Sequence, residues 1–429
     1  MRVIADLHIH SCYSRATSKK MHIKGIARFA KIKGLTVVGT GDFTHPKWFR
    51  EIKEVLVQDP VTKLYQIEEC SKPSVYFMLT TEVSTIFRFE NEVKKIHHLI
   101  LTPNIETAIQ ISERLAEHCD LSVDGRPTLK IEAPQLVEEV MEVSEENMVI
   151  PAHIWTPWFS VFGAFSGFDS IKDCYQDMTK YIFALETGLS SDPSMNWRLS
   201  KLDKYSLISN SDSHSFWPWR IGREANVLEL NRPSYRGVKH TIQGKDREKF
   251  QYTIETFPSY GKYHWTGHRK CDVSLSPEEA MKLGNICPVC RGELTKGVDH
   301  RVEELADRPS GFKPKGAKDF IHLLPLSEII KTILNISSPY AKSVWSIYNQ
   351  LIERFGDEYT VLMDTPKQAL SEVVDKNIVE AIVRIRRGEV RVVPGYDGVY
   401  GRLLFFEEEN GEETLTGKVH QSVLTQFTE

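Results

Sequence analysis

Short apolar runs that end in polar or turn-forming residues recur along the first half of the chain. Val3-Ile4-Ala5 opens the series, reads as a buried strand and leads into Asp6-Leu7-His8-Ile9-His10. "LTVVGTGDF" (35–43), "VYFMLTTEV" (75–83), "KIHHLILTP" (95–103), "MVIPAHIW" (148–155), "IFALETGLS" (182–190) and "YSLISNSDSHS" (205–215) have the same form. Helical patterns lie between them, as at 105–118 and 134–146. Repeated strand–helix alternation predicts a parallel α/β architecture, either a barrel or an open sheet. In both, functional groups gather beyond the carboxyl ends of the strands. The residues at those ends are His8 and His10, Asp42 and His45, Glu82, His97 and His98, His153, Glu186, Asp212 and His214.

The alternation fades over 231–262, and "ETFPSYGKYHWTGHRKC" reads as a linker entering a small module. From about residue 301 the pattern turns helical: "LSEIIKTIL", "AKSVWSIYNQLIERFG" and "VVDKNIVEAIVRIRRG" all carry the 3.6-residue period. "VVPGYDGVYG" (392–401) interrupts it with glycines that permit tight turns. The expected organisation is a first domain over 1–235, a small module over 250–303, a helical domain with the PGYDGVYG loop over 304–420, and a tail over 421–429.

Composition adds limits rather than direction. The chain of 429 residues is 41% hydrophobic and 26% charged, ordinary for a globular protein long enough for two or three cores. No apolar run approaches the roughly 18 residues that span a membrane, and the start lacks a secretory pattern, so a cytoplasmic protein with no membrane partner is expected. Four of the seven cysteines are scattered and three, Cys271, Cys287 and Cys290, are clustered, which suits reduced thiols plus one metal site. Residues 231–300 hold 12 Lys+Arg against 8 Asp+Glu within a chain of net charge −4. A basic segment beside an acidic body is compatible with DNA binding.

His8 and His10 share a face if the chain is extended, so they are able to grip one ion, and Asp212 and His214 in "SDSH" repeat the spacing. His, Asp and Glu together suit Zn, Mn or Mg, and ions held close together bind a phosphate and activate water. In order and spacing, "DLHIH", the Asp42 segment, Glu82, "HH" at 97–98, "PAH" ending at His153 and "SDSH" resemble the polymerase-and-histidinol-phosphatase (PHP) family of metal-dependent phosphoesterases. The resemblance covers about residues 1–230 and implies a distorted (βα)7 barrel with up to three ions at one mouth. It implies His8, His10, Glu82 and Asp212 around one ion and Glu82, His97 and His153 around a second, with His98 competing for the place of His97. His214, helped by Asp42 or His45, is left for a third. Here the chain departs from the family: "SCYSRATS" lacks the histidine expected after the opening motif.

"HRKC" (268–271) and "CPVC" (287–290) have the spacing of a structural zinc site, with His268, Cys271, Cys287 and Cys290 as ligands and His300 as an alternative to His268. A PHP domain followed by such a module and a helical region resembles the endonuclease Q family over almost the whole chain. "ALETGLSSDPSMNWR", "NSDSHS" and "IGREAN" carry that narrower likeness. It implies a DNA-repair endonuclease that hydrolyses the phosphodiester 5′ to uracil, hypoxanthine, xanthine or an abasic site.

The aromatic content fits a base reader. Trp155, Trp158 and Phe159 follow His153, and Trp217, Trp219, Arg220 and Arg223 follow His214. An extruded base stacks on aromatic walls, and arginines hold phosphates bidentately. Asp212, Glu82 and Glu186 are the catalytic candidates, Glu186 either as a polar support or as a general base. Gln421, Leu424 and Phe427 have the spacing of a sliding-clamp-binding peptide. Two other readings stay open, a small-molecule phosphatase of the histidinol-phosphate type and a non-catalytic DNA-binding or clamp-associated module.

Overall fold

The computed structural model describes residues 1–68, 75–244 and 246–406, so the proposed clamp motif at Gln421, Leu424 and Phe427 lies outside the described residues. Eleven strands form one mixed sheet. β1 (Arg2–Asp6) lies parallel to β2 (Val37–Gly39), beyond which the antiparallel pair β3 (Leu56–Gln58) and β4 (Tyr65–Ile67) edges the sheet. β2 is parallel to β5 (Tyr76–Phe89), and β5 is antiparallel to β6 (Glu92–Thr102). Glu90 and Asn91, at φ 47° and 68°, join β5 to β6 in the two-residue turn that suits the twist of a hairpin. The short β7 (Thr128–Leu129) lies against β5, and β8 (Met148–Pro151) is antiparallel to β6. β9 (Ala184–Glu186) and β10 (Ser206–Ile208) form a separate parallel pair. β11 (Ala225–Glu229), antiparallel to β1, and β12 (Phe250–Glu255), antiparallel to β11, extend the sheet on the far side of β1.

The expected parallel sheet is therefore replaced by a mixed one. The cause is the β5–β6 hairpin, whose direct return reverses the chain where a crossover helix would have kept it parallel. The period of two still sorts the strands. Val3, Ala5, Met78, Leu99, Leu101, Ile150, Ala184, Ile208 and Leu228 form one buried cluster. Their neighbours Ile4, Phe77, Leu79, Ile100, Val149, Leu185 and Val227 join the cluster that packs on the helices.

After β12 the hairpin of β13 (Thr266–His268) and β14 (Val273–Leu275) builds a small module around Val273, Ala280, Cys287 and Leu294. β15 (Asp319–His322) then returns to the large sheet, parallel to β12. Helices Leu326–Ile333, Lys342–Phe355 and Lys376–Arg386 follow where the 3.6-residue periodicity places them. β16 (Arg391–Val393) and β17 (Arg402–Leu404) flank the glycine-rich loop, which docks on the module through Tyr396 OH to Asp272 Oδ1 at 2.6 Å and the Arg269 amide to Asp397 Oδ2 at 2.7 Å. No helix among the described residues is long and apolar enough to cross a membrane.

The helical region is pinned to the first half by buried polar groups. Lys33 Nζ lies 2.7 Å from Glu358 Oε1 and donates to the Pro218 carbonyl at 2.9 Å. Tyr348 OH and the Leu326 amide donate to the same carboxylate at 2.8 and 2.9 Å. Tyr359 OH donates to the Gly222 carbonyl, and the Gly222 amide donates to Asp6 Oδ2 at 2.8 Å. Asp6 in turn accepts from the Ser211 amide at 3.0 Å. A second buried pair, Glu224 and Glu255, shares the Ser209 hydroxyl at 2.9 Å each. One hydroxyl proton is shared between two buried carboxylates, an arrangement that favours a proton on one of them.

Candidate metal centre

The predicted donors converge, but Glu82 and His97 sit midway along β5 and β6 rather than at strand ends, because the hairpin strands run on past the apolar runs. In the β5–β6 register Ser84 faces His97 and Glu82 faces Leu99, which puts Glu82 and His97 on the same side of the hairpin. His98 takes the other side, where Thr85 Oγ1 and Tyr175 OH lie 2.8 and 2.9 Å from its ring nitrogens, and burial lowers its pKa to about 3. His97 Nδ1 and His153 Nε2 lie 2.8 and 3.0 Å from Glu82 Oε1, while His10 Nε2 lies 3.2 Å from Glu82 Oε2. Donor atoms of His8, His10, Glu82 and Asp212 lie within 4.8 Å of one another, and so do those of Glu82, His97 and His153. Glu82 belongs to both sets, which is the geometry of a bridging carboxylate between two ions.

The electrostatics fit a cation pair. Burial opposes the charge on Glu82, but His97, Arg126 and His8 outweigh it and hold the carboxyl well below its usual range. Burial likewise opposes protonation of His8, yet Glu186 and Glu82 raise its pKa well above the ordinary value. His8 Nε2 is buried without a hydrogen-bond partner and points among the donors. Asp42, His153 and Asp212 hold positive φ of 46°, 31° and 45°, and such strain, about 1–3 kcal/mol each, clusters at functional sites. Gly188 makes room for one of them, since a Cβ there would lie 2.4 Å from His153 Cβ.

Glu186 does not face the mouth. Its oxygens receive His8 Nδ1 at 3.1 and 3.0 Å, the His153 amide at 2.8 Å and Asn210 Nδ2 at 2.8 Å. It is fully buried, so of the two roles open to it the structure favours support: it fixes the tautomer that turns His8 Nε2 toward the ligands.

The third-ion corner is filled by other groups. Asp42 Oδ2 accepts from the Ser11 amide, Ser11 Oγ and Ser14 Oγ at 2.6, 2.6 and 2.8 Å, and Oδ1 lies 3.1 Å from His10 Nδ1. His45 does not join the cluster. It caps the helix Pro46–Val55, its Nε2 lies 3.1 Å from the Ser122 carbonyl oxygen, and it stacks on Tyr13 at 4.4 Å. His214 lies 4.4 Å from the His10 ring but in neither donor set. These residues do not fit a third ion.

Beside the ligands opens a cavity of about 320 Å³ that includes His153 and Asp212 in its wall. Trp158, Trp219, Arg220 and Arg223 line it together with Phe257, Tyr260, Tyr263, Leu324 and Tyr400. Three other predicted base contacts lie elsewhere. Trp155 is core, donating from Nε1 to Asn196 Oδ1 at 2.8 Å. Phe159 packs on His97 at 4.8 Å. Trp217 is stacked between its neighbours, 5.2 Å from Trp219 and 5.9 Å from Trp345. Residue type alone does not separate a wall from a core. Two contributors were not among the predicted site residues: Asn210, within the "NSDSHS" likeness, which receives the Leu7 amide at 2.8 Å, and Arg126, which carried no sequence signal and whose Nη1 lies 3.0 Å from Glu82 Oε2.

In the small module His268, Cys271, Cys287 and Cys290 bring their donor atoms within 4.8 Å of one another, the donor chemistry of a tetrahedral site. The Cys290 amide, with His268 and Val289, outweighs burial and pulls the Cys287 thiol down to about 6. His300 stands apart, buried with Nδ1 3.1 Å from Thr266 Oγ1.

A family model described as the MJ0043 C-terminal domain matches residues 325–389. A crystal structure of the lesion-specific endonuclease PfuEndoQ from Pyrococcus furiosus is 33% identical, covering 94% of this chain and 95% of its own, at a TM-score of 0.84. A crystal structure of endonuclease Q with a 27-mer duplex substrate carrying an abasic lesion at the active site is also 33% identical, covering 94% and 96%, at a TM-score of 0.82. A protein of Methanocaldococcus jannaschii is 34% identical over 62% of this chain, which spans 34% of that protein's length.

Proposed function

The chain belongs to the endonuclease Q family, and from that premise we propose that it nicks DNA on the 5′ side of a lesion by metal-assisted hydrolysis of the phosphodiester. The observation that carries the reading is the junction of two donor sets sharing Glu82 with a cavity large enough to admit an extruded base. We read the strands around the donors as a distorted (βα)7 barrel and the Cys/His cluster as a structural zinc site.

Bound divalent ions, Zn, Mn or Mg by donor chemistry, would supply Lewis acidity and a lowered water pKa. The protein's own groups do the rest. Glu82 holds the two donor sets together, and Glu186 keeps His8 in the ligating tautomer. Asp212, at 27% side-chain exposure the open member of its set, faces the place where water and substrate arrive, and His10, His8 and His214 outweigh burial to hold its carboxylate ionised, well below the usual range. Trp158 and Trp219 offer stacking surfaces, while Arg220 and Arg223 hold the DNA backbone. The products are a 3′-hydroxyl and a 5′-phosphate. A sliding clamp as partner is a reading of the Gln421, Leu424 and Phe427 spacing alone.

End-labelled duplexes carrying an abasic site, uracil, hypoxanthine, xanthine or only normal bases test the reading when incubated with protein and divalent metal. Nicking of the lesion duplexes 5′ to the lesion is expected. Equal cleavage of the undamaged duplex would remove lesion specificity, and turnover of small phosphate esters alone would replace the proposal with a phosphatase.

A further inference from the structure

We infer that Arg126 is a further catalytic residue of this centre, its guanidinium gripping a non-bridging oxygen of the scissile phosphate; the inference rests on the endonuclease reading above. One edge of the side chain is committed, with Nη1 3.0 Å from Glu82 Oε2. Nε and Nη2 have no hydrogen-bond partner among the described residues, and the side chain keeps 27% of its surface exposed. A planar fork held by one nitrogen beside the shared ligand, with its other donors unspent, matches a phosphate in shape and charge.

The backbone delivers that fork from a fixed place. Gly125 donates its amide to the Tyr13 carbonyl at 3.2 Å and lies so close to Asp42 and Ser14 that a Cβ would sit 2.3 Å from an oxygen of each. Asp124 Oδ1 accepts the Arg126 amide at 3.2 Å and the Arg15 amide at 3.3 Å. The segment thus closes the corner that does not fit a third ion and sends one permanent positive charge from it toward Glu82.

That charge has work to do. Glu82 and Asp212 already face the incoming phosphodiester, itself an anion, and hydrolysis adds a second negative charge as water adds to phosphorus and the bond to O3′ breaks. A preorganised donor aimed at the developing charge is the arrangement that lowers such a barrier. Contact with Glu82 engages only one of the guanidinium's three nitrogens.

Full-length wild type, Arg126→Gln and Arg126→Lys, loaded with Mn, are compared in single-turnover nicking of an abasic duplex, in bound metal by mass spectrometry and in calorimetric binding of inorganic phosphate. Arg126→Gln is expected to slow nicking by roughly 10²–10³-fold with unchanged metal content. It should also weaken phosphate binding by about tenfold or more. Arg126→Lys, which keeps the charge and loses the fork, should recover part of both. Nicking by Arg126→Gln near the wild-type rate overturns the assignment, and so does a loss of metal that accounts for the lost rate, which would make Arg126 a support for Glu82. A wild type that cuts no lesion duplex fails the endonuclease reading itself, whereas an active wild type beside an equally active Arg126→Gln fails only this inference.

Discussion

Both oxygens of Glu186 are spent inside the protein, so its influence on the centre runs through the ring it orients. Glu186→Gln still accepts from the His153 amide or His8 but loses the charge that fixes the tautomer. Metal affinity is then expected to fall about 10–100-fold, read by calorimetry, with little change in the folded state. Asp212→Asn should abolish nicking while lesion DNA still binds, measured by gel assay and anisotropy. The Glu224–Glu255 pair makes stability depend on pH. Burial pushes Glu224 up to about 7 from 4.5, and burial together with Glu224 pushes Glu255 well above its usual value. The folded chain keeps these protons after the unfolded chain has released them, so the pair's contribution falls as pH rises through that interval. At constant metal, calorimetry should show the melting temperature declining between about pH 5 and 7, and Glu255→Gln should flatten the decline. The residues of the two donor sets were legible because metal chemistry uses few residue types and the strand period places them. Glu186 left two roles open because its role depends on which way the carboxylate turns. Arg126 was silent, since a loop arginine follows no period.

The β5–β6 hairpin shows what periodicity specifies and what it leaves open. Adjacent His97 and His98 had to face opposite ways, but which faced the ions depended on a register that one sequence does not reveal. His97→Ala should lose bound metal, whereas His98→Ala should keep it and lose stability through the unsatisfied Tyr175 and Thr85, separable by metal content and denaturant midpoint. Strand direction was misjudged for a related reason: apolar runs of similar length look alike whether the chain between them crosses over or turns directly back. The β13–β14 module was legible from ligand spacing, although choosing between His268 and His300 required the fold. Its core is four side chains, so if the Cys/His cluster holds an ion as proposed, chelation should unfold the module locally. Hydrogen exchange should then rise across 266–294 while β1 and β5 stay protected.

At the scale of the whole molecule, the helical region was legible as helices but its attachment was not, because long-range contacts leave no local pattern. Lys33 and Glu358 are 325 residues apart and buried together. Lys33→Met strands the carboxylate and is expected to cost about 3–5 kcal/mol in chemical denaturation. The cavity beside the ligands draws its wall from the first half, from 257–264 and from Leu324 and Tyr400, so its shape depends on all three regions staying docked.

The Tyr359–Gly222–Asp6–Ser211 chain of hydrogen bonds has a consequence in time. His8 and His10 are synthesised before Asp212, and Asp212 before Glu358 and Tyr359. The loop bearing Asp212 gains a further clamp when Tyr359 arrives, and Lys33 finds its buried partner when Glu358 does. A nascent chain thus carries both donor sets before it carries Glu358 and Tyr359, and the docking of the helical region is the last step that tightens them.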